Sequence, residues 1–407
     1  MYLKRLSLTN FRSFSRLDLG VPREIFLLVG GNAVGKTTLL EAIFYLSTFT
    51  SFNAGSDRQL INFTIPDNEV TVGRIIGEFS RQDGDHRIEV RLIREPNGEN
   101  GQTRFRKEAL FDGVKHKLNE VIGRFNAVIF LPQMARIIEE GPSERRRYMD
   151  MLISQVSPQY VAHLSDYQQT LAQRNALLKQ LGDFGGDPGQ LGVWDGMLAR
   201  HGAFIMAERI RAIREIEAAA KRIHFDLTHG NEVLRLDYQP AYEPLSVPKD
   251  QMSLPVLTIA DRSGLSLEEI ETGMIDALKA LQREEIARGM TTIGPHRDEL
   301  RFLSNQIDMG DFGSRGQGRT ALLALKLAEV EWLHQCTGEW PVLLLDETMS
   351  EMDPQRREDL LKALSACEQA ILTSTDLSMF EPAFVQSHQA WRVAGGEVRP
   401  EQTHHPM

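Results

Sequence analysis

Between the apolar run Ile25-Phe26-Leu27-Leu28-Val29 and the helix-like stretch Thr38 to Leu46 stands Gly30-Gly31-Asn32-Ala33-Val34-Gly35-Lys36-Thr37. A glycine, four residues and Gly-Lys-Thr, opened by a buried strand and closed by a helix, restrict the chain to an α/β core with a phosphate-binding turn. The glycines let backbone N–H groups close around phosphates. Lys36 would neutralise β- and γ-phosphate charge, and the Thr37 hydroxyl would ligate Mg²⁺. Gly30, Gly31, Asn32, Ala33, Val34, Gly35, Lys36, Thr37 and Thr38 are therefore the expected nucleotide-binding residues, with ATP and Mg²⁺ as the implied cofactors.

Far downstream, Val342-Leu343-Leu344-Leu345 reads as a buried strand ending in Asp346 and Glu347. Asp346 is placed to hold Mg²⁺, and Glu347 to orient an attacking water as general base. Between these two sites lies Ser314-Arg315-Gly316-Gln317, followed by the helix-like Arg319 to Glu329. A Ser-x-Gly-Gln turn at a helix start offers a hydroxyl, backbone N–H groups and a positive helix end to a γ-phosphate. Phosphate loop, signature turn and acidic strand in that order resemble the ABC ATPase family. There the signature turn meets ATP held by the other protomer. The resemblance assigns Ser314, Gly316 and Gln317 to a shared site and implies an ATP-dependent homodimer.

The rest of the chain divides by periodicity. Leu3, Leu6 and Leu8 mark a first strand, and residues 70–93 alternate as a hairpin with a turn near Asp83-Gly84-Asp85. Tyr160, Leu164, Tyr167, Leu171, Leu178 and Leu181 follow helical spacing, with Arg174 on the same seam. A turn-rich stretch, residues 182–189, separates them from a second helical run through Ile205, Ile210, Ile213, Ile216, Ala220 and Ile223. Two helices of about 25 residues would each reach roughly 40 Å and pack antiparallel. A helical arm and a plain helical subdomain both fit this pattern. Residues 240–264 read as a loop, and Ser266 with Glu269 forms a capping box that opens another helix.

Composition limits the setting. Cys336 and Cys367 are the only cysteines, too few for a disulfide framework, which points to a reducing compartment and a cytoplasmic location. The first residues lack the apolar core of a signal peptide, and no apolar run of about 18 residues exists to span a membrane. The net charge of −10 does not exclude nucleic acid, because phosphate contacts depend on local patches. Residues 87–124 carry nine Lys/Arg against six Asp/Glu. Arg104, Arg106, Lys107, Lys115 and Lys117 are the candidates for phosphate contact there, with a solvated face as the alternative.

Further motifs narrow the resemblance. Asn10-Phe11-Arg12-Ser13-Phe14, Gly141 to Asp150 with its three arginines, and Gly294-Pro295-His296-Arg297-Asp298-Glu299-Leu300 resemble segments of the RecF family and its SMC-like relatives. Ser314 to Glu329, and Leu343 to Asp353 with its D-loop, are similar as well. Pro132-Gln133-Met134 stands where that family carries Pro-Glu-Asp; Gln133 is the counterpart of the residue that senses Mg²⁺. Asp346-Glu347 replaces two aspartates, and Thr373 to Asp376 resembles the family's polar sensor.

The resemblance implies an ABC-type ATPase head with an inserted helical arm: residues 1–154 and 291–407 as the head, 155–290 as the arm. It also implies DNA-stimulated ATP hydrolysis, with Glu347, Lys36 and Gln133 as catalytic residues. The expected role is recombinational repair and replication restart, including the SOS response to DNA damage. The expected partners are gapped or single/double-strand junction DNA, RecR and RecO. Another SMC-like ATPase serving a nuclease or defence system remains open. A transporter ATPase subunit is opposed by the missing switch histidine and by the arm. Arg145, Arg146 and Arg147 are adjacent, so they fan around a helix; internal ion pairs and phosphate contacts both remain open for them.

Overall fold

The computed structural model describes residues 1–66, 69–97, 102–245, 259–352, 354–364 and 367–401. They form two compact units, residues 1–134 with 329–407, and residues 135–328. The expected arm, 155–290, lies inside the second unit, which also takes in residues 135–154 and 291–328.

The first unit holds two six-stranded sheets. One is built on Ile25–Val29, flanked by Ala370–Ser374 and Gln389–Ala394. Val342–Leu345 and then Ala127–Phe130 follow beyond Ala370–Ser374, and Glu397–Pro400 pairs antiparallel at the opposite edge. The four strands Ile25–Val29, Ala127–Phe130, Val342–Leu345 and Ala370–Ser374 are parallel and almost wholly buried. Continuous apolar runs such as these suit a sheet covered on both faces.

The other sheet is antiparallel, ordered Phe14–Gly20, Tyr2–Phe11, Thr71–Arg81, Gly84–Asn97, Gln102–Phe111, Val114–His116. The register against Thr71–Arg81 shifts between Leu3 and Arg5. That bulge absorbs the odd spacing from Leu3 to Leu6, so Leu3, Leu6 and Leu8 are all fully buried. The expected hairpin is present, with Gly84 opening the return strand rather than sitting in mid-turn.

In the second unit, Pro158–Phe184 and Leu191–Leu227 are long helices joined by a short turn, and Leu267–Arg288 packs on both. The Ser157 hydroxyl oxygen accepts from the Tyr160 N–H to start the first helix, and Gly185 ends it. Ser266 and Glu269 form the expected capping box. Arg174, the one charge on the apolar seam, is fully buried and is met by Asp195, Glu285 and Thr291 at 2.7, 2.7 and 2.8 Å. A three-stranded sheet, Ile307–Asp308, Glu299–Ser304 and Leu234–Gln239, completes the unit. Of the expected 240–264 loop, residues 246–258 lie outside the described residues, as does Asp353 of the D-loop.

Candidate functional site

The phosphate loop follows the carboxyl end of Ile25–Val29 and passes into the helix Lys36–Thr48. Gly35 has φ 110°, and a Cβ there would meet the Phe14 ring at 2.9 Å, so both backbone and space require glycine. No side chain caps the helix start. Its first N–H groups and the positive helix end are thus directed at whatever occupies the loop. Lys36 is buried, and its ammonium donates to the Gly30 and Gly31 carbonyls at 2.7 and 2.8 Å.

Asp346 and Glu347 follow the carboxyl end of Val342–Leu345, on the same edge of the parallel sheet as the loop. Ligands of open α/β sheets gather at that edge because helix N-termini and connecting loops converge there. The Thr37 hydroxyl donates to Asp346 Oδ2 at 2.7 Å, and the Thr373 hydroxyl donates to Oδ1 at 2.8 Å. Thr373 also accepts the Glu347 N–H at 3.0 Å. Glu347 adopts left-handed backbone (φ 47°), a conformation unusual outside glycine that turns the chain out of the strand. Its carboxylate lies 3.1 Å from Lys36 Nζ.

A cleft of about 630 Å³, entirely within the first unit, gathers these groups. Of the sequence-derived residues, Asn32, Ala33, Gly35, Lys36, Thr37 and Thr38 line it, together with Gln133, Asp346 and Glu347. Gly30 and Gly31 act through their carbonyls on Lys36, and Val34 is not among the lining residues. The Gln133 amide donates to Asn53 Oδ1 at 3.4 Å.

Ser314, Gly316 and Gln317 belong to the second unit and do not line this cleft. There Ser314 Oγ accepts the Gln317 N–H at 3.2 Å and Gln317 Oε1 accepts the Ser314 N–H at 3.1 Å. This reciprocal pair is a capping box at the start of the helix Arg315–Thr337. The Ser-x-x-Gln spacing carried that signal. Gln317 also donates to Glu232 at 3.0 Å, while residues 310–316 are all exposed.

Sequence reasoning missed Glu41, Asn53 and Phe63, which line the cleft, and assigned no role to Arg12 or Ser13. Arg12 meets the buried Glu41 in a two-pronged pair at 3.0 and 2.7 Å, and the Ser51 hydroxyl donates to the same carboxylate. No local pattern announces such a pair, because its members are 29 positions apart and on different elements.

The basic candidates fare unevenly. Arg106 pairs with Glu95 and Glu108, Lys107 with Asp57, and Lys115 with Glu108, whereas Arg104 and Lys117 are exposed. Arg145 pairs with Glu299 at 2.6 Å and Arg146 donates to the Asp298 carbonyl at 2.8 Å, so these two serve the interior of the second unit. Asp298 is fully buried and accepts from Arg209, from the Tyr238 hydroxyl and from the Ala241 N–H. His296 accepts the Tyr167 hydroxyl at 2.7 Å, and burial pushes its pKa down to about 4. The Gly294-to-Leu300 motif is thus a packing and hydrogen-bonding centre.

Comparison with known proteins places these features. The pattern described as RecF/RecN/SMC N-terminal domain matches residues 2–395. The chain is similar to the DNA replication and repair protein RecF of Chloroflexus aurantiacus, with 37% identity covering 98% of this chain and 99% of that protein. RecF of Lacticaseibacillus casei is 35% identical over 98% of this chain and 99% of its own. Among solved structures, the recombination mediator protein RecF with ATP, from the RecFOR pathway, superposes with TM-score 0.79 at 31% identity, covering 98% of this chain and 97% of that one. An Smc head bound to the C-terminal winged-helix domain of ScpA matches with TM-score 0.51 at 14% identity, covering 98% and 97%, a likeness of fold alone. The fold is that of an ABC-type ATPase head with a helical arm. Among the described residues no helix is long and apolar enough to cross a membrane.

Proposed function

The chain belongs to the RecF family within the RecF/RecN/SMC group, and from that premise we propose that it is an ATP-dependent DNA-binding protein of replication and recombinational repair. The observation that carries the ATPase reading is the meeting of Lys36, Thr37, Asp346 and Glu347 in one cleft, residues separated by some three hundred positions in sequence.

In this reading the uncapped helix start and Lys36 receive the phosphates, with the base directed away from the loop. Thr37, Asp346 and Gln133 offer oxygen donors only, a set that fits Mg²⁺. The 2.7 Å approach of the Thr37 hydroxyl to Asp346 brings two of those oxygens together. Bound Mg²⁺ would offset the negative charge of the phosphates. Thr373 holds the other Asp346 oxygen and the Glu347 backbone, which orients the Glu347 carboxylate. That carboxylate accepts a proton from the attacking water as the general base.

The exposed Ser314 turn, at the positive start of Arg315–Thr337, completes the site of a second copy; two chains therefore close around two ATP molecules. ATP-closed dimers hold gapped or junction DNA, with RecR and RecO as partners in loading recombinase. The names of the relatives and the RecFOR setting of the matched structures support this assignment. The test is ATP hydrolysis and light scattering side by side, with gapped, duplex and single-stranded DNA. ATP-driven dimers and faster turnover on gapped DNA are expected. Absence of both ATP-dependent dimers and hydrolysis on every DNA would refute the assignment.

A further inference from the structure

His163 and His201 stand on the two long helices of the second unit, Pro158–Phe184 and Leu191–Leu227, and turn the same ring nitrogen towards each other, Nδ1 to Nδ1 at 3.2 Å. Both residues are half-buried. The His163 ring lies on Phe204, with centroids 4.1 Å apart and planes inclined by 13°, which fixes its orientation. The helix backbones are held close at the same level. Gly202 follows His201, and a Cβ there would meet the Tyr167 ring at 3.2 Å, one helical turn on from His163. Ala203, the next residue, is fully buried. Packing from both helices therefore holds the two imidazoles nitrogen to nitrogen.

Two readings of the pair differ in geometry. In one, an N–H of one ring donates to the lone pair of the other; lined up head to head at that distance, the ring centres would lie about 5.5 Å apart. In the other, both Nδ1 lone pairs converge on one ion. Metal–nitrogen bonds of about 2.0–2.1 Å at a near-tetrahedral angle put the nitrogens about 3.2–3.4 Å apart and the ring centres about 5.1 Å apart. The observed centres are 5.1 Å apart with planes inclined by 63°, the bent approach of the second reading. Imidazole nitrogen suits zinc or copper, whereas Mg²⁺ takes oxygen. The exposed charges that act on His163, Asp166 and Arg200, are opposite in sign and leave the locality near neutral. Among the described residues no group of three His, Cys, Asp or Glu side chains is placed to hold a metal, so the pair supplies two positions and water supplies the rest. We propose that His163 and His201 form a two-histidine site for a divalent transition ion of the zinc class, which clips the two long helices together. This site belongs to the second unit, and the nucleotide cleft to the first.

Titration of the full chain with Zn²⁺ in the absence of nucleotide, followed by calorimetry and thermal unfolding, tests it. Zn²⁺ should bind the wild type and raise its unfolding temperature by about 3 °C or more, reversibly on adding a chelator, whereas Mg²⁺ should leave it unchanged. His163→Phe keeps a ring on Phe204 and removes one ligand; His201→Asn removes the other. Each should unfold near the metal-free wild type and lose Zn²⁺ affinity about tenfold or more. Cu²⁺ as a spin probe should couple to two imidazole nitrogens in the wild type and to one in either variant. The chain also carries His404-His405, and replacing both by alanine should leave the zinc shift in place. A wild type without a zinc-dependent shift, a shift kept by both single-histidine variants, or one abolished by the His404-His405 replacement would overturn the site.

Discussion

The Lys36 ammonium lies 3.1 Å from the Glu347 carboxylate, so the cation assigned to phosphate and the acid assigned to water form one ion pair across the cleft. Glu347 is about one-third exposed and Lys36 almost wholly buried, which leaves the pair strongest on the lysine side. An incoming phosphate therefore competes with Glu347 for Lys36.

Glu347→Gln removes that competition together with the base. ATP should bind at least as tightly as to wild type, while turnover falls about 10²–10⁴-fold. Lys36→Met should instead lose ATP binding with the fold intact. Filter binding and steady-state hydrolysis on both variants check this, and unchanged turnover in Glu347→Gln would move the base to another residue.

Ser314 caps the helix Arg315–Thr337, so a structural and a nucleotide role have to be separated. Ser314→Asp keeps a capping oxygen and places negative charge where a partner's γ-phosphate would lie. Thermal unfolding should stay within about 0.5 kcal/mol of wild type, while ATP-driven dimerisation in light scattering is lost. Mixing this variant with Lys36→Met leaves one composite site with both lesions and one with neither, so hydrolysis should partly recover. Wild-type dimers of Ser314→Asp alone would reduce the turn to a helix cap.

Arg174 compensates two buried carboxylates, Asp195 and Glu285. Burial raises the Asp195 pKa even with Arg174 beside it. Arg174→Met should therefore cost about 3–5 kcal/mol in denaturant unfolding at neutral pH, because two buried acids lose their partner. Lower pH should reduce that cost, since protonating Asp195 removes a stranded charge.

His296 sets a pH dependence. Its folded pKa of about 4 lies below the ordinary 6.5, chiefly through burial, so the unfolded chain binds the extra proton first. Its contribution is fully present above about pH 6.5 and is lost as pH falls toward 4, on the order of 2 kcal/mol between pH 7 and pH 5. Unfolding free energies of wild type and His296→Gln across that range should converge on acidification. Parallel curves would assign the acid sensitivity elsewhere.

Some of this was legible in the chain and some was not. The hairpin of Thr71–Arg81 with Gly84–Asn97 and the two seam helices followed their periodicities because apolar spacing is a local signal. Leu3, Leu6 and Leu8 read as a strand, yet the bulge that reconciles their uneven spacing appears only in the pairing register. The arginines at 145 and 146 had two open readings. Their ion pair and carbonyl contact lie some 150 positions downstream, at Glu299 and Asp298.

What the sequence determined by itself is what neighbouring residues decide among themselves: a strand, a glycine turn and a helix around Lys36, a capping box at Ser266, an acidic end to a buried strand. Backbone conformation and short-range hydrogen bonds settle these without reference to the rest of the chain. Tertiary structure decided which distant groups share a charge. It set Thr373 against Asp346, Glu41 behind Arg12, two acids around Arg174, and left the Phe63 ring bare beside the phosphate loop. Each depends on the positions of separate elements, and no spacing along a single segment encodes the distance between two strands or the water excluded between two helices.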